Sequence, residues 1–555
     1  MKYTDDKNAQ IVLSLLKQYG IKKIVVSPGT TNVPIARSVQ QDSFFEAYSV
    51  VDERGAAYFA TGLSYISGEP VVLSCTGATA SRNYLSGLTE AYYRNLPIIA
   101  LTSQHHTPDY NDLVAQLTDR RNSQNDIKRY HAQLPYVKDN EDYKQCVFQV
   151  NSALHFATAK GGGPVHINLP VGPAYSFGTN ELPKVQRINY YNAENLDFLQ
   201  LAHELKSKKV GIFIGSHNIF RQECIDAINQ FVTKNDIPVF YDHTSSYAGK
   251  NGVLISQICD LAATKNLPDL IVDLGGICGE YSALPLFKNI PTWRVSEDGT
   301  YHNRLGVEIL TKVFECTEKF FFSGLNTKSI KTKKYYSDLK KEVAKITVPN
   351  LPLSNTYISM KLSRSIPKGS IFHLAILNSL RNMNFFELDK SIITSCNVGG
   401  FGIDGALSTA IGQSAASNNR LTFILVGDLA FFYDMNALGN RHITNNLRIL
   451  LVNNGLGVEF RLNPRLEEQW GADTDDFIAA RGHFGSAEAW AKSMGFEYIN
   501  AKSKDEFDDN IPKFCSKELS KPVVFEIFTS VLDEQQALSL IRNINRPIKQ
   551  KNRGH

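Results

Sequence analysis

The chain has 555 residues, of which 43% are hydrophobic and 21% charged, and 59 basic against 55 acidic side chains leave a formal charge of +4. That balance excludes a disordered chain and offers no basic field for nucleic acid; the basic run Arg542–His555 reads as a solvated end. No apolar stretch reaches the roughly 18 residues of a membrane-spanning helix, and the eight cysteines form no CxxC pairs, so a cytoplasmic protein without a zinc site or disulfide framework is expected.

The N-terminal pattern predicts an amphipathic helix over Asn8–Tyr19, without the apolar core of a signal peptide. A strand in KKIVVSPG, a helix over Glu53–Ile66, a strand in EPVVLSCTG, a helix over Thr79–Arg94 and a strand in NLPIIALTS follow, and GGGPVHINLPVGP supplies one more buried strand. Short β-rich runs alternating with helices of about a dozen residues specify a doubly wound parallel sheet. The rhythm restarts after Lys184 with VGIFIGS, a helix near Gln222–Lys234, IPVFYDH, PDLIVDLGG and TWRVSED. The lysine-rich stretch Asn326–Ser337 suits a linker or an exposed helix start. A last set of strands, SIITSCN, RLTFILVGD, LRILLVNNG and PVVFEIF, completes the pattern. The expectation is therefore an α/β protein of three doubly wound parallel-sheet domains, at residues 1–175, 184–335 and 351–547, with a basic tail at 548–555.

Three clusters carry candidate chemistry. In the third domain LTFILV runs into Gly427-Asp428-Leu429, and RILLV runs into Asn453-Asn454-Gly455. Both clusters thus fall at the carboxyl ends of parallel strands, where open α/β sheets bind ligands, and the spacing leaves room for one crossover between neighbouring strands. A carboxylate beside an amide oxygen is a hard donor pair suited to Mg²⁺; two turns with capping side chains are the plainer alternative. The glycines of NVGGFGIDGALSTAIG, among them Gly402, precede a helix whose backbone N–H groups can meet a diphosphate. In the first domain Asp52-Glu53-Arg54 opens a helix. Glu53 is either a first-turn acid serving the helix dipole or a carboxylate facing a cofactor slot.

SPGTTN, VDERGAAYFATGLS, CTGATASRNYLSGLTEAYYRNLPIIALTS, GPVHINLP, GGFGIDGALSTAIG, GDLAFFYDMNAL and LLVNNG occur here in an order and at spacings that resemble the thiamine-diphosphate (ThDP) dependent decarboxylase and carboligase superfamily. The likeness is greatest to its menaquinone-pathway synthase branch, which joins 2-oxoglutarate to isochorismate. It implies that Glu53 hydrogen-bonds the pyrimidine ring nitrogen of ThDP, and that Asp428, Asn454 and the backbone carbonyl of Leu456 ligate Mg²⁺ on the diphosphate. It also implies cofactor contacts from Thr79, Asn83, Gly402, Gly427 and Leu429, and a propping role for Ile403, which an ordinary core isoleucine would equally satisfy. Glu53 and Asp428 would come from different subunits, so a homodimer or dimer of dimers is expected, with no nucleic acid or membrane partner.

Departures from that pattern cluster on substrate recognition. Thr30-Thr31 stands where the branch has Ser-Arg, Val398 where it has an arginine, and His105-His106 where another arginine is expected. A further arginine, expected on a helix near Ser370–Leu374, is missing too. Leaving a buried carboxylate unpaired costs about 3–5 kcal/mol, so a different substrate pair is expected. His105 and His106 are candidate proton donors, Gln116 or Gln124 the candidate active-site glutamine, and Arg82 a candidate partner for a substrate anion; exposed-loop histidines and a surface arginine are the plain alternatives. The chemistry expected is decarboxylation of a 2-oxo acid followed by transfer to an acceptor carbonyl, with simple aldehyde release or a non-catalytic ThDP-binding role as alternatives.

Overall fold

The computed structural model describes residues 2–106, 114–172, 176–262, 264–299, 309–417, 420–482 and 485–544. It parts into two compact units, one running to Tyr190 with a short segment ending at Val313, the other holding the rest. The expected tail at 548–555 lies outside the described residues.

The first unit is built on β1 (Lys23–Val26), β2 (Glu46–Ser49), β3 (Val71–Thr76), β4 (Ile98–His105), β5 (Tyr130–Gln133) and β6 (Val165–Val171), in the order β2-β1-β3-β4-β6-β5. All its pairings are parallel. The central strands are buried on both faces, which is why they read as unbroken apolar runs rather than alternating ones. One face is covered by the helices Lys7–Gln18 and Asn140–Thr158, the other by Glu53–Ser67 and Leu85–Tyr93. The single helix expected over Thr79–Arg94 is instead two, Thr79–Asn83 and Leu85–Tyr93. Its first turn is loosened because the Ser81 hydroxyl bonds to the carbonyls of Gly77 and Ala78, competing with the backbone ladder.

Two further sheets lie for the most part in the second unit. One contains β7 (Asn189–Asn192), β8 (Val210–Ile214), β9 (Val239–Tyr241), β10 (Gly252–Leu254), β11 (Leu270–Leu274), β12 (Thr292–Ser296) and β13 (Leu310–Glu315), in the order β10-β9-β8-β11-β12-β13-β7. The other contains β14 (Ile371–Leu374), β15 (Ile393–Cys396), β16 (Thr422–Gly427), β17 (Leu447–Asn453), β18 (Glu497–Ala501) and β19 (Val523–Phe528), in the order β15-β14-β16-β17-β19-β18. That order repeats the order of the first unit's sheet, strand for strand. The helix expected near Ser370–Leu374 is replaced by β14, a four-residue buried run that follows Gly369 in a left-handed turn and pairs with both β15 and β16. A run that short cannot complete a stable helix, and pairing in the sheet decides its form. In both sheets the chain reverses direction across the sheet beside the first strand, between β1 and β3 and between β14 and β16, which places crevices at those strand ends. Among the described residues, no helix is long and apolar enough to cross a membrane.

Candidate cofactor site

β16 delivers Gly427 opposite Val452 of β17, so Asp428 arrives beside Asn453 and Asn454. The Asp428 side chain is buried at 3% exposure. Its Oδ2 accepts from the backbone N–H of Asn454 at 3.0 Å and of Gly455 at 2.7 Å, and its Oδ1 accepts from Leu429 N–H at 2.8 Å. Three charge-assisted bonds hold the carboxylate in one orientation. Gly455, with φ at +81°, takes a left-handed conformation that lets both N–H groups converge on the acid.

Asn453 turns the other way and donates through Nδ2 to Glu526 Oε1 at 2.7 Å. Glu526 is fully buried and also accepts from Ser486 Oγ and Tyr498 Oη at 2.7 Å and from Ala487 N–H at 3.0 Å, so the back of the strand end is locked. Asn454 Oδ1, by contrast, is buried with no hydrogen-bond partner among the described residues. An orphaned buried acceptor costs about 1–3 kcal/mol unless something occupies it. The Leu456 carbonyl accepts from Val458 N–H at 2.9 Å and keeps a second lone pair. One carboxylate, one amide oxygen and one backbone carbonyl form a hard oxygen set of the kind Mg²⁺ takes with phosphate and water. A Cβ built on Gly427 would meet nothing within 4 Å, so this glycine leaves open space rather than relieving strain. Behind the cradle, burial pushes the Glu534 carboxyl up to about 7, and the charges of Asp533 and Asp428 act in the same direction.

In the first unit Glu53 is the first residue of its helix, capped by Asp52, which accepts from Arg54 and Gly55 N–H. Glu53 is half-buried, and its carboxylate makes no hydrogen bond or ion pair among the described residues. Burial pushes the Cys75 thiol up to about 12, with the negative charge of Glu53 contributing, and the buried Tyr84 phenol is raised well above its usual value in the same surroundings. Both buried groups thus lie within electrostatic reach of the Glu53 carboxylate.

Residues 6–131, which include Glu53, match the model of the thiamine pyrophosphate enzyme N-terminal TPP binding domain. The 2-succinyl-5-enolpyruvyl-6-hydroxy-3-cyclohexene-1-carboxylate synthase of Bacteroides fragilis is 32% identical over 554 residues, covering 95% of this chain and 97% of its own length. The protein of that name from Phocaeicola vulgatus is 31% identical, covering 99% and 100%, and that from Flavobacterium psychrophilum 28%, covering 94% and 96%. This chain belongs to that synthase family of ThDP enzymes. It is accordingly a ThDP-dependent enzyme acting on a 2-oxo acid.

Within this family member, Thr31, His105 and Gln116 come together around one small cavity with Gly77, Ser103 and Gln104. The Thr31 hydroxyl is already committed to the Ser103 carbonyl at 2.7 Å, while Thr30 is exposed. Gln116 has φ at +67°, a conformation that non-glycine residues adopt at a cost and that often marks functional loops. Gln124 does not line this cavity; its carbonyl accepts from Lys128 Nζ at 2.7 Å. His106 is not brought in either: it stacks on Tyr136 with ring centroids 4.0 Å apart, and burial, helped by Lys138, lowers its pKa. Arg82 donates to the Asp119 carbonyl at 2.9 Å, and Thr79 and Asn83 are exposed on the short helix Thr79–Asn83. Val398 is sealed in the apolar core of the third sheet. Ile403 is partly buried and packs against the apolar clusters on both faces of that sheet, so a core role and a propping role coexist. Gly402 is tight: a Cβ there would press on the Asp404 carboxylate.

Sequence reasoning missed Arg120, which is buried and donates to Thr102 Oγ1 and Gln104 Oε1, two residues of the strand that carries His105. Its neighbour Arg121 is exposed and paired with Asp119, and nothing in an Arg-Arg pair says which member turns inward.

Proposed function

We propose that the chain is a ThDP- and Mg²⁺-dependent carboligase that decarboxylates a 2-oxo acid and transfers the acyl anion equivalent to an acceptor carbonyl, with a substrate pair different from that of the named synthases. The observation that carries this reading is the buried Oδ1 of Asn454, without a partner among the described residues, beside the fixed carboxylate of Asp428. Asp428, Asn454 and the Leu456 carbonyl would hold Mg²⁺ on the diphosphate, with Gly427 and Leu429 giving the phosphates close approach. ThDP, when bound, supplies the electron sink for the pair left as CO₂ departs. Glu53 holds a proton at the pyrimidine ring nitrogen, a task its uncommitted carboxyl suits. His105 and Gln116 line the cavity from which a proton can be moved at a substrate oxygen.

The altered pair is supported by Val398, which packs in the core, and by Thr31, whose hydroxyl is spent on Ser103; neither offers a guanidinium for a dicarboxylate. The helix that begins at Glu53 exposes Tyr58, Phe59 and Ile66, the last at 83%, an apolar face suited to a second copy of the chain. A homodimer or dimer of dimers, each site drawing Glu53 and Asp428 from different copies, follows from this reading. Eight free cysteines favour the cytoplasm.

The test is to incubate the pure protein with ThDP, Mg²⁺ and a panel of 2-oxo acids, with and without carbonyl acceptors, following CO₂ and products by NMR. ThDP-dependent CO₂ release with a new carbon–carbon bond is expected. Aldehyde alone with every acceptor would make it a simple decarboxylase, and no CO₂ from any acid would remove catalysis altogether.

A further inference from the structure

The pocket beside the cation cradle carries a guanidinium with no part in the reading above. Arg461 and Arg481 line this pocket together with Asn454, Leu456 and Asp475. Arg461 is committed: it bonds both oxygens of Asp475, at 3.0 and 3.2 Å, and Glu467 at 2.8 Å. Asp475, itself buried, is thereby satisfied before Arg481 reaches it. Arg481 adds a single bond at 3.3 Å and leaves 61% of its side chain exposed. Among the described residues, four of the five guanidinium donors are thus without a protein acceptor.

The backbone around Arg481 is held in an uncommon form. Ala480 has φ at +51° and Gly482 at +129°, so two left-handed positions flank the arginine, and the first is unfavourable for any residue with a Cβ. Three hydrogen bonds keep it so. Ala479 N–H donates to Thr474 O at 2.7 Å, Arg481 N–H to Asp475 O at 2.8 Å, and Gly457 N–H to Ala479 O at 2.6 Å. The last ties the strained segment directly to the loop that carries Asn454 and Leu456.

We propose that Arg481 is a specificity-determining residue that pairs with a carboxylate of the substrate, exchanging its weak bond to Asp475 for a bidentate, charge-assisted one. The pocket wall explains why a carboxylate is favoured over the coenzyme's own diphosphate: Val531 and Leu532 line it, and Leu532 is 75% exposed, an apolar surface beside a cation that suits the carbon chain of an organic acid. A guanidinium in this pocket would supply a positive charge of the kind missing at positions 31 and 398, which fits a changed substrate. The assignment rests on the reading that Asp428 and Asn454 hold the cofactor's metal.

The experiment uses the holoenzyme, loaded with ThDP and Mg²⁺, and titrates glutarate, a dicarboxylate without a reactive ketone, by calorimetry. Wild type should bind it, Arg481→Gln about 10- to 100-fold more weakly and Arg481→Lys at an intermediate level, with melting temperature and ThDP affinity unchanged. Equal glutarate affinity in Arg481→Gln, or no binding to wild type, would overturn the assignment. Loss of ThDP affinity with glutarate binding intact would give Arg481 to the diphosphate instead. Failure of wild type to bind ThDP would sink the cofactor reading, and titration of glutarate into the apoprotein would then still decide the role of Arg481.

Discussion

Glu53 and Asp428 occupy the same local position, the first residue of a helix that follows a parallel strand, and their surroundings are opposite. Asp428 is buried and gripped by three backbone N–H groups; Glu53 is half-buried and bonded to nothing among the described residues. A fixed carboxylate can present a lone pair to a cation without paying to reorganise, whereas an uncommitted one can take up or release a proton against an arriving base. The neighbours differ too: Asn453 and Glu526 lock the back of the Asp428 strand end, while Glu53 reaches the buried Cys75 and Tyr84 only through its charge.

The comparison breaks most visibly in kinetics. Glu53→Gln should lower turnover about 10²- to 10⁴-fold while leaving the urea midpoint unchanged, because no native bond is lost. A large destabilisation would mean that Glu53 is structural. Asp428→Ala should do both kinds of damage: ThDP affinity in the presence of Mg²⁺ drops about 100-fold, and unfolding free energy falls by about 2–4 kcal/mol as three N–H groups lose their acceptor. Unaltered ThDP affinity would remove the metal assignment.

Behind the cradle, Glu534 gives a pH signature. Its folded pKa of about 7 lies above a glutamate's ordinary 4.5, so between those values the unfolded chain sheds the proton first and stability falls as pH rises. Without divalent cations the loss should total about 3 kcal/mol across that window, at about 1.4 kcal/mol per pH unit, and Glu534→Gln should flatten the slope in urea titrations at pH 4.5–7.5. A flat wild-type profile would show that the carboxyl finds solvent. The smallest effect concerns Gln116: replacing it with glycine should stabilise the fold by about 0.5–1 kcal/mol by relieving the left-handed conformation, and lower turnover if the side chain serves the cavity.

Much of this was legible in the chain itself. Apolar strand runs ending in Gly427-Asp428 and Asn453-Asn454 placed the cradle because strand direction and burial are local properties of sequence. Failures share a cause. The run Ile371–Leu374 is too short to carry a period of its own, so its sequence does not tell strand from helix, and the helix break at Tyr84 depends on where the Ser81 hydroxyl bonds.

What the sequence determined by itself is the α/β alternation, the strand ends that carry the acids, and membership in a ThDP family, since each rests on residue order over short spans. Only the tertiary structure decided which member of a pair faces inward, as with Asn453 against Asn454, Arg120 against Arg121 and His105 against His106. It also decided that Arg481 stands by the loop that carries Asn454. Those outcomes depend on hydrogen-bond partners distant in the chain, and no local pattern encodes a partner's position.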